Sequence, residues 1–317
     1  MTANALTRSV FFKTIDNCQN SSQLTELFEK YIPTYLYKFS AFPYQKYKKE
    51  DRMRQLRNGE IWFSAKDNLN DPFEFEHLML KTATPEAQKY YNDKQLELEM
   101  FCLTASPLNK LMWSHYADSY SGYCVEYRVE NKGRIYPVIY DDSLPDMSEY
   151  YQRFFNQKET LSNFSFGMDE VSKDIIRLNY PLSSKDECWS YEKEYRIIDS
   201  IQVGESPAKG HIRRAKDYGL FLSAVIIGAN CSSDDEALLK STVGIINKQE
   251  DQKRKKLILN SPYCTQKCRD NIDYYVRTFY EKNPILAPIV LKRLTWNEQL
   301  QLTTKIIQEN ENGQDEI

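Results

Sequence analysis

The run Trp189-Ser190-Tyr191-Glu192-Lys193-Glu194-Tyr195-Arg196 is rich in aromatic and charged side chains, and the branched pair Ile197-Ile198 follows. That pattern predicts a β-strand over 191–198. A strand repeats every two residues, so Glu192, Glu194 and Arg196 fall on one face and Tyr191, Lys193 and Tyr195 on the other. The two carboxylates and the guanidinium then stand roughly 7 Å apart in sequence along the strand. Neighbouring carboxylates repel and raise each other's pKa, so a purely structural strand seldom aligns them. A solvated face with Arg196 bridging the two acids is the plain alternative. Trp189 and the tyrosines point instead to the wall of a cleft.

The chain has 317 residues, enough for one large domain or for a domain with an appended subdomain. A net charge of −3 gives no global sign of nucleic-acid or membrane affinity. Local charge is uneven: Lys46, Lys48, Lys49, Arg52, Arg54 and Arg57 form one basic cluster and Lys253-Arg254-Lys255-Lys256 a second. No window approaches the run of about 18 apolar residues that a membrane helix needs. Met1 to Val10 lacks the features of a secretory signal. Seven cysteines at irregular spacings fit reduced thiols, so a cytoplasmic location is expected. Cys264 and Cys268 lie four apart, but His77, His115 and His211 are the only histidines and none is close in sequence, which disfavours structural zinc.

Three segments are expected: a lead-in over 1–34, a main α+β domain over 35–245, and a C-terminal extension over 246–317. Strands are predicted at Tyr35–Phe39, Ile61–Ala65, Glu97–Thr104, Gly122–Val129, Tyr136–Tyr140 and Ala224–Gly228. Helices are predicted at Leu24–Tyr31, Tyr44–Asn58 (closed by Gly59, with Met53, Leu56 and the stem of Arg52 inward), Asn109–Asp118, and over most of Met147–Tyr180 with a break near 165–167. Ser233-Asp234-Asp235-Glu236 reads as a capping box, and Thr295 with Glu298 as another that opens a terminal helix toward Gln308. The strands come in groups rather than in βαβ alternation. The fold class is therefore α+β, with a mixed or antiparallel central sheet flanked by helices.

Two further constellations accompany the charged strand. In Asn70-Asp71-Pro72-Phe73-Glu74 the proline fixes the bend, and Asp71 and Glu74 lie close enough to share a ligand; a turn followed by a helix-start acid is the alternative. In Leu111-Met112-Trp113-Ser114-His115-Tyr116-Ala117, His115 lies off the face shared by Met112 and Tyr116 and could serve as a donor or proton carrier, or be structural. The phosphate loop, the dinucleotide fingerprint, the H-E-x-x-H motif and the G-x-S-x-G elbow are all missing. Carboxylates remain as the candidates for chemistry.

Taken in order, Leu69-Asn70-Asp71-Pro72-Phe73-Glu74, Met112-Trp113-Ser114-His115-Tyr116-Ala117 with Gly122, and Trp189 to Arg196 resemble the boxes of the bacterial domain-of-unknown-function family 2971. Leu36-Tyr37-Lys38-Phe39 and Ile226-Ile227-Gly228 resemble that family's edges, so the likeness spans about residues 35–245. More distantly, Tyr37-Lys38, the following helix and Gly59 with Ile61-Trp62-Phe63-Ser64 look like the start of ADP-ribosyltransferase domains, whose late strand carries an [E/Q]-x-E pair that Glu192-Lys193-Glu194 matches. That resemblance implies a split sheet and NAD as substrate. It makes Glu194 the carboxylate that holds the nicotinamide ribose, and Glu192 the one that orients the acceptor. His115 and Tyr116 would stack on the cofactor. The first strand departs from the arginine-type pattern, offering Tyr37 and Lys38 and no arginine.

The leading expectation is therefore an intracellular bacterial enzyme that transfers ADP-ribose from NAD to a protein or nucleic-acid acceptor, acting as a toxin or in defence against phage, with no membrane partner. Glu194, Glu192 and His115 are its expected catalytic residues. Tyr37, Lys38, Asn70, Asp71, Glu74, Trp113, Tyr116, Trp189, Tyr191 and Arg196 are expected to bind substrate. Glu194→Gln should then slow turnover by about 10²-fold or more while leaving folding intact. A metal-dependent nuclease using Asp71, Glu74, Glu192 and Glu194 around Mg²⁺ is the alternative, and a binding module with an acidic strand is a third.

Overall fold

The computed structural model describes residues 6–20, 22–23, 26, 29–71, 81–95, 97–142, 146–157, 170–178, 180–201, 205, 209–283, 286–299 and 301–307. In chain order its strands are β1 (Tyr35–Ser40), β2 (Glu60–Ala65), β3 (Leu98–Thr104), β4 (Tyr123–Val129), β5 (Tyr136–Pro137), β6 (Ile139–Tyr140), β7 (Ser184–Lys185), β8 (Glu194–Ser200), β9 (Gly210–Arg214), β10 (Leu220–Ile227), β11 (Val290–Trp296) and β12 (Leu302–Ile306). Most pairings are antiparallel and helices flank the sheets, so the fold is α+β as the grouping of strands predicts. The chain divides into two compact units that interleave along the sequence: residues 1–34, 61–105 and 131–213 form the first, and 35–60, 106–130 and 214–317 the second.

In the first unit, β3 is the spine. It pairs antiparallel with β2 (Ser64↔Met100) and with β8, whose register runs from Leu98↔Ser200 to Thr104↔Glu194. The short β5 lies along the other edge of β8, with Tyr136 opposite Arg196. β6 and β7 form a separate parallel pair in which Tyr140 stands opposite Lys185. A hydrophobic core that includes Phe11, Ile139 and Tyr180 closes one side, fed by the helix Arg8–Asn17.

In the second unit, β4 pairs antiparallel with β1 on one side and with β10 on the other. Ala224, Val225, Ile226 and Ile227 are all buried, as a strand covered on both faces requires. β11 pairs parallel with β10, and β12 turns back antiparallel on β11. The long helix Ser233–Leu259 buries Leu239, Thr242, Val243 and Ile246, a single stripe at helical spacing. Each such apolar side chain contributes about 1.5–3 kcal/mol on burial.

Several expectations are corrected. The terminal helix predicted from Thr295 is the β11–β12 hairpin. Asn297 closes its turn, its side-chain oxygen accepting from the N–H groups of Gln299 and Gln301 at 3.0 and 2.8 Å, so Thr295 with Glu298 caps nothing. The cap of the long helix is Ser232, one residue earlier than predicted, and its hydroxyl accepts from the Asp235 N–H. The charged strand begins at Glu194 and not at Tyr191, because Glu187–Glu192 coil into a 3₁₀ turn. The helix Lys46–Asn58 ends at a left-handed Gly59 and buries Met53 and Leu56 as predicted, but Arg52 is exposed. Of the helix predicted over Met147–Tyr180, Ser148–Gln157 and Glu170–Arg177 are helical, and the predicted break lies outside the described residues. Much of the segment 24–31 also lies outside them.

Candidate functional site

The charged face of β8 turns inward. Arg196 is fully buried, Glu194 is 6% exposed, and Glu192 and Lys185 are 3% exposed. Arg196 donates through Nε to Glu194 Oε1 at 2.8 Å and through Nη2 to Oε2 at 2.9 Å, while Nη1 donates to the Leu182 carbonyl at 2.9 Å. Lys185, carried by β7, donates from Nζ to Glu192 Oε2 at 2.7 Å and stands 3.5 Å from Glu194 Oε2. Two acids and two bases thus share one closed cluster in the first unit.

Glu192 is not on the strand, yet it reaches the same ammonium as Glu194. The reason is Lys193, whose backbone is left-handed (φ 45°, ψ 53°) and closes the 3₁₀ turn onto the strand. The reversal is pinned on both sides: Thr104 Oγ1 donates to the Glu192 carbonyl at 2.6 Å, and the Ala105 N–H to the Lys193 carbonyl at 3.1 Å. A left-handed lysine costs on the order of 1 kcal/mol, held in place here by those bonds. The Tyr140 hydroxyl accepts from the Glu194 N–H at 2.8 Å.

Burial alone would push the Glu194 carboxyl up, but the Arg196 fork and the Lys185 ammonium outweigh it and hold the group well below the usual carboxylate range. The Tyr140 phenol is pushed strongly up, first by burial and then by the charge of Glu194. Glu194 is therefore a fixed negative charge at neutral pH, and Tyr140 a fixed neutral hydroxyl.

The cluster lies beneath a surface of mixed character. The Trp189 ring covers Lys185, with Nζ 4.6 Å from its centroid, and Tyr191 tilts against Trp189 at 6.2 Å. Both rings are half-buried. Exposed Asn70 extends Nδ2 to Glu192 Oε1 at 3.5 Å, and Asp71 is buried. Asn70, Asp71, Trp189, Tyr191, Glu192, Glu194 and Arg196 thus all belong to the first unit, and the structure adds Lys185 and Tyr140, which the sequence did not single out. Glu74 lies outside the described residues.

Tyr37, Lys38, Trp113, His115 and Tyr116 belong to the second unit. Trp113 is fully buried, crosses Phe39 edge-on at 5.0 Å and donates from its ring nitrogen to the Pro107 carbonyl at 2.6 Å. Its surface is spent on the core. His115 is exposed and Tyr116 half-buried. Tyr37 faces Glu126 across β1 and β4, and burial followed by that carboxylate pushes its phenol up. Glu126 also accepts from Ser223 at 2.7 Å and from Lys292 at 2.8 Å.

A second acid–base cluster in the first unit went unread in the sequence. Glu99, fully buried on β3, accepts from or pairs with His211 Nδ1 and Arg213 Nη2, each at 2.7 Å, and Arg213 grips Glu205 with both nitrogens at 2.7 and 2.6 Å. All seven cysteines are free thiols. Among the described residues no group of three His, Cys, Asp or Glu side chains is placed to hold a metal ion, and no helix is long and apolar enough to cross a membrane.

Residues 112–197 match the family model described as protein of unknown function (DUF2971). The matched DUF2971 segment contains Lys185, Glu192, Glu194 and Arg196, the whole of the ion cluster, together with Trp113 and Gly122. Asn70 and Asp71 lie outside the DUF2971 match. No curated protein and no solved structure matches the chain.

Proposed function

We propose that the first unit holds the active centre of a bacterial cytoplasmic enzyme that cleaves the nicotinamide–ribose bond of NAD and passes ADP-ribose to a protein or nucleic-acid acceptor. The observation that carries this reading is the convergence of Glu192 and Glu194 on one Lys185 ammonium, with Glu194 kept ionised by Arg196. When nicotinamide departs, positive charge develops on the ribose. A carboxylate that is already oriented and desolvated stabilises that charge without reorganising. Glu194, held ionised by the Arg196 fork, is assigned the developing charge on the ribose. Glu192 then orients the acceptor, and Trp189 and Tyr191 supply aromatic faces for the nucleotide. A toxin or phage-defence role rests on analogy with other bacterial enzymes of this chemistry.

A metal nuclease is less well supported, since among the described residues no group of three His, Cys, Asp or Glu side chains is placed to hold a metal ion. The deciding experiment incubates the purified chain with NAD and cell extract, reading nicotinamide release by chromatography and added ADP-ribose by mass spectrometry. Glu192→Gln should keep nicotinamide release and lose transfer. A wild-type protein that releases no nicotinamide with any extract ends the proposal.

A further inference from the structure

We infer that the second unit carries a separate binding cavity for a small organic anion with an apolar body, independent of the NAD chemistry proposed for the first unit. The cavity measures about 700 Å³, within the range of small-molecule pockets. Its floor is apolar, formed by Leu56, Tyr127 and Ile246 from the basic helix, β4 and the long helix. These side chains are buried, so a ligand resting on them meets carbon surface rather than charged groups.

The rim has a net positive charge that no ion pair among the described residues neutralises. Both acids at the rim are already matched: Glu60 is held by Arg54 at 3.1 Å, and Glu250 by Lys253 at 2.6 Å. Arg57, Arg214 and Lys216 also line the cavity, and none of them has an ion-pair partner among the described residues. Three uncompensated cations over an apolar floor favour a molecule with an anionic head and a carbon body. A purely polyanionic chain would leave the floor unused, and a neutral apolar molecule would leave the cations unused. The two basic clusters visible in the sequence, around residues 46–57 and 253–256, thus contribute Arg57 and Lys253 to one concave site.

The test titrates the full chain calorimetrically with 1-naphthyl phosphate, and separately with inorganic phosphate and with 1-naphthol. The whole probe should bind about tenfold or more tighter than either half, because both halves of the site are engaged at once. The variant Arg57→Glu/Arg214→Glu/Lys216→Glu should weaken binding by about tenfold or more and flatten its dependence on salt. Ala287→Trp, which fills the cavity without changing charge, should abolish binding in a protein with the wild-type melting temperature. Phosphate alone binding as well as naphthyl phosphate would overturn the inference in favour of simple surface attraction, and naphthol alone binding as well would reduce it to an apolar crevice. Unchanged affinity in the Ala287→Trp variant would also overturn it, whatever the stability of the charge variant.

Discussion

Arg196 grips Glu194 through both carboxylate oxygens, at 2.8 and 2.9 Å, from a position two residues further along the same strand. The sequence places the two on one strand face, but it does not reveal that this face points inward. Once buried, the pair has a different energetic meaning. Deleting one partner strands the other's charge in the interior, which costs about 3–5 kcal/mol. Glu194→Gln is therefore expected to lower the urea midpoint strongly, contrary to the sequence expectation that folding survives. Glu194→Gln combined with Arg196→Met should recover more than half of the loss. Equal stability of Glu194→Gln and wild type in urea would show that the fork contributes little.

The same contact predicts an acid-sensitive first unit. The Glu194 carboxyl titrates at about 2 in the folded protein, burial raising it and Arg196 and Lys185 more than offsetting that rise. An unfolded glutamate titrates near about 4.3. The folded value is depressed, so this stabilisation is complete above the unfolded value and is lost as pH falls from about 4 toward 2. Stability measured by urea at pH 6, 4 and 3 should decline over the lower interval. The decline should be smaller in the Glu194→Gln/Arg196→Met variant, which lacks the titrating group.

Lys193 decides how the two glutamates meet. Its left-handed backbone tolerates glycine without strain and resists β-branching. Lys193→Gly should leave the melting temperature close to wild type. Lys193→Ile should destabilise by about 1–2 kcal/mol and move Glu192 away from Lys185. Retention of wild-type stability by Lys193→Ile would mean that the turn can re-form in another conformation.

Where local pattern fixes local structure, the fold was legible. The strand expected over Tyr35–Phe39, the apolar run ending at Ile227, and Gly59 after a basic helix each led to the observed element. The failures have physical causes. Thr295 and Glu298 carry the spacing of a capping box, but Asn297 can satisfy two backbone N–H groups in a tight turn, and a hairpin results. Glu192 and Glu194 read as one strand because nothing in the sequence marks Lys193 as left-handed. The Glu99–His211 contact joins residues 112 positions apart and leaves no local trace. Nor does sequence show that Trp113 is enclosed, since an aromatic on a short helix fits a cleft as readily as a core.

Gly122 is predicted to be intolerant of substitution. A Cβ built there would lie 2.2 Å from the Ser40 carbonyl oxygen and 3.1 Å from the backbone of Ala117. The Gly122 N–H also donates to the Ala117 carbonyl at 2.8 Å, and its own carbonyl accepts from Gly228 at 2.9 Å. Backbone atoms on both sides cannot retreat as a flexible side chain would. Gly122→Ala should cost about 2 kcal/mol or more, read from its urea midpoint.

Cys188 gives a prediction that separates exposure from reactivity. The thiol is exposed and sits beside the Trp189 surface, where a free cysteine would ordinarily be modified quickly. Its hydrogen bond to Asp186 stabilises the protonated form, partial desolvation adds to this, and the charges of Asp186 and Asp71 disfavour a thiolate. Lys185 opposes these effects but does not overcome them, and the thiol is pushed up to about 11. Only the thiolate reacts with iodoacetamide, so alkylation of Cys188 at pH 8 should be slow for an exposed cysteine, with a pH–rate midpoint above that of a free thiol, about 8.5. Asp186→Asn removes the negative charge and weakens the hydrogen bond, and should bring the midpoint down toward the free-thiol value. Peptide mass spectrometry after timed alkylation resolves Cys188 from the other six cysteines. Rapid alkylation at pH 8 in the wild type, with no response to Asp186→Asn, would show that the acidic surroundings do not control this thiol.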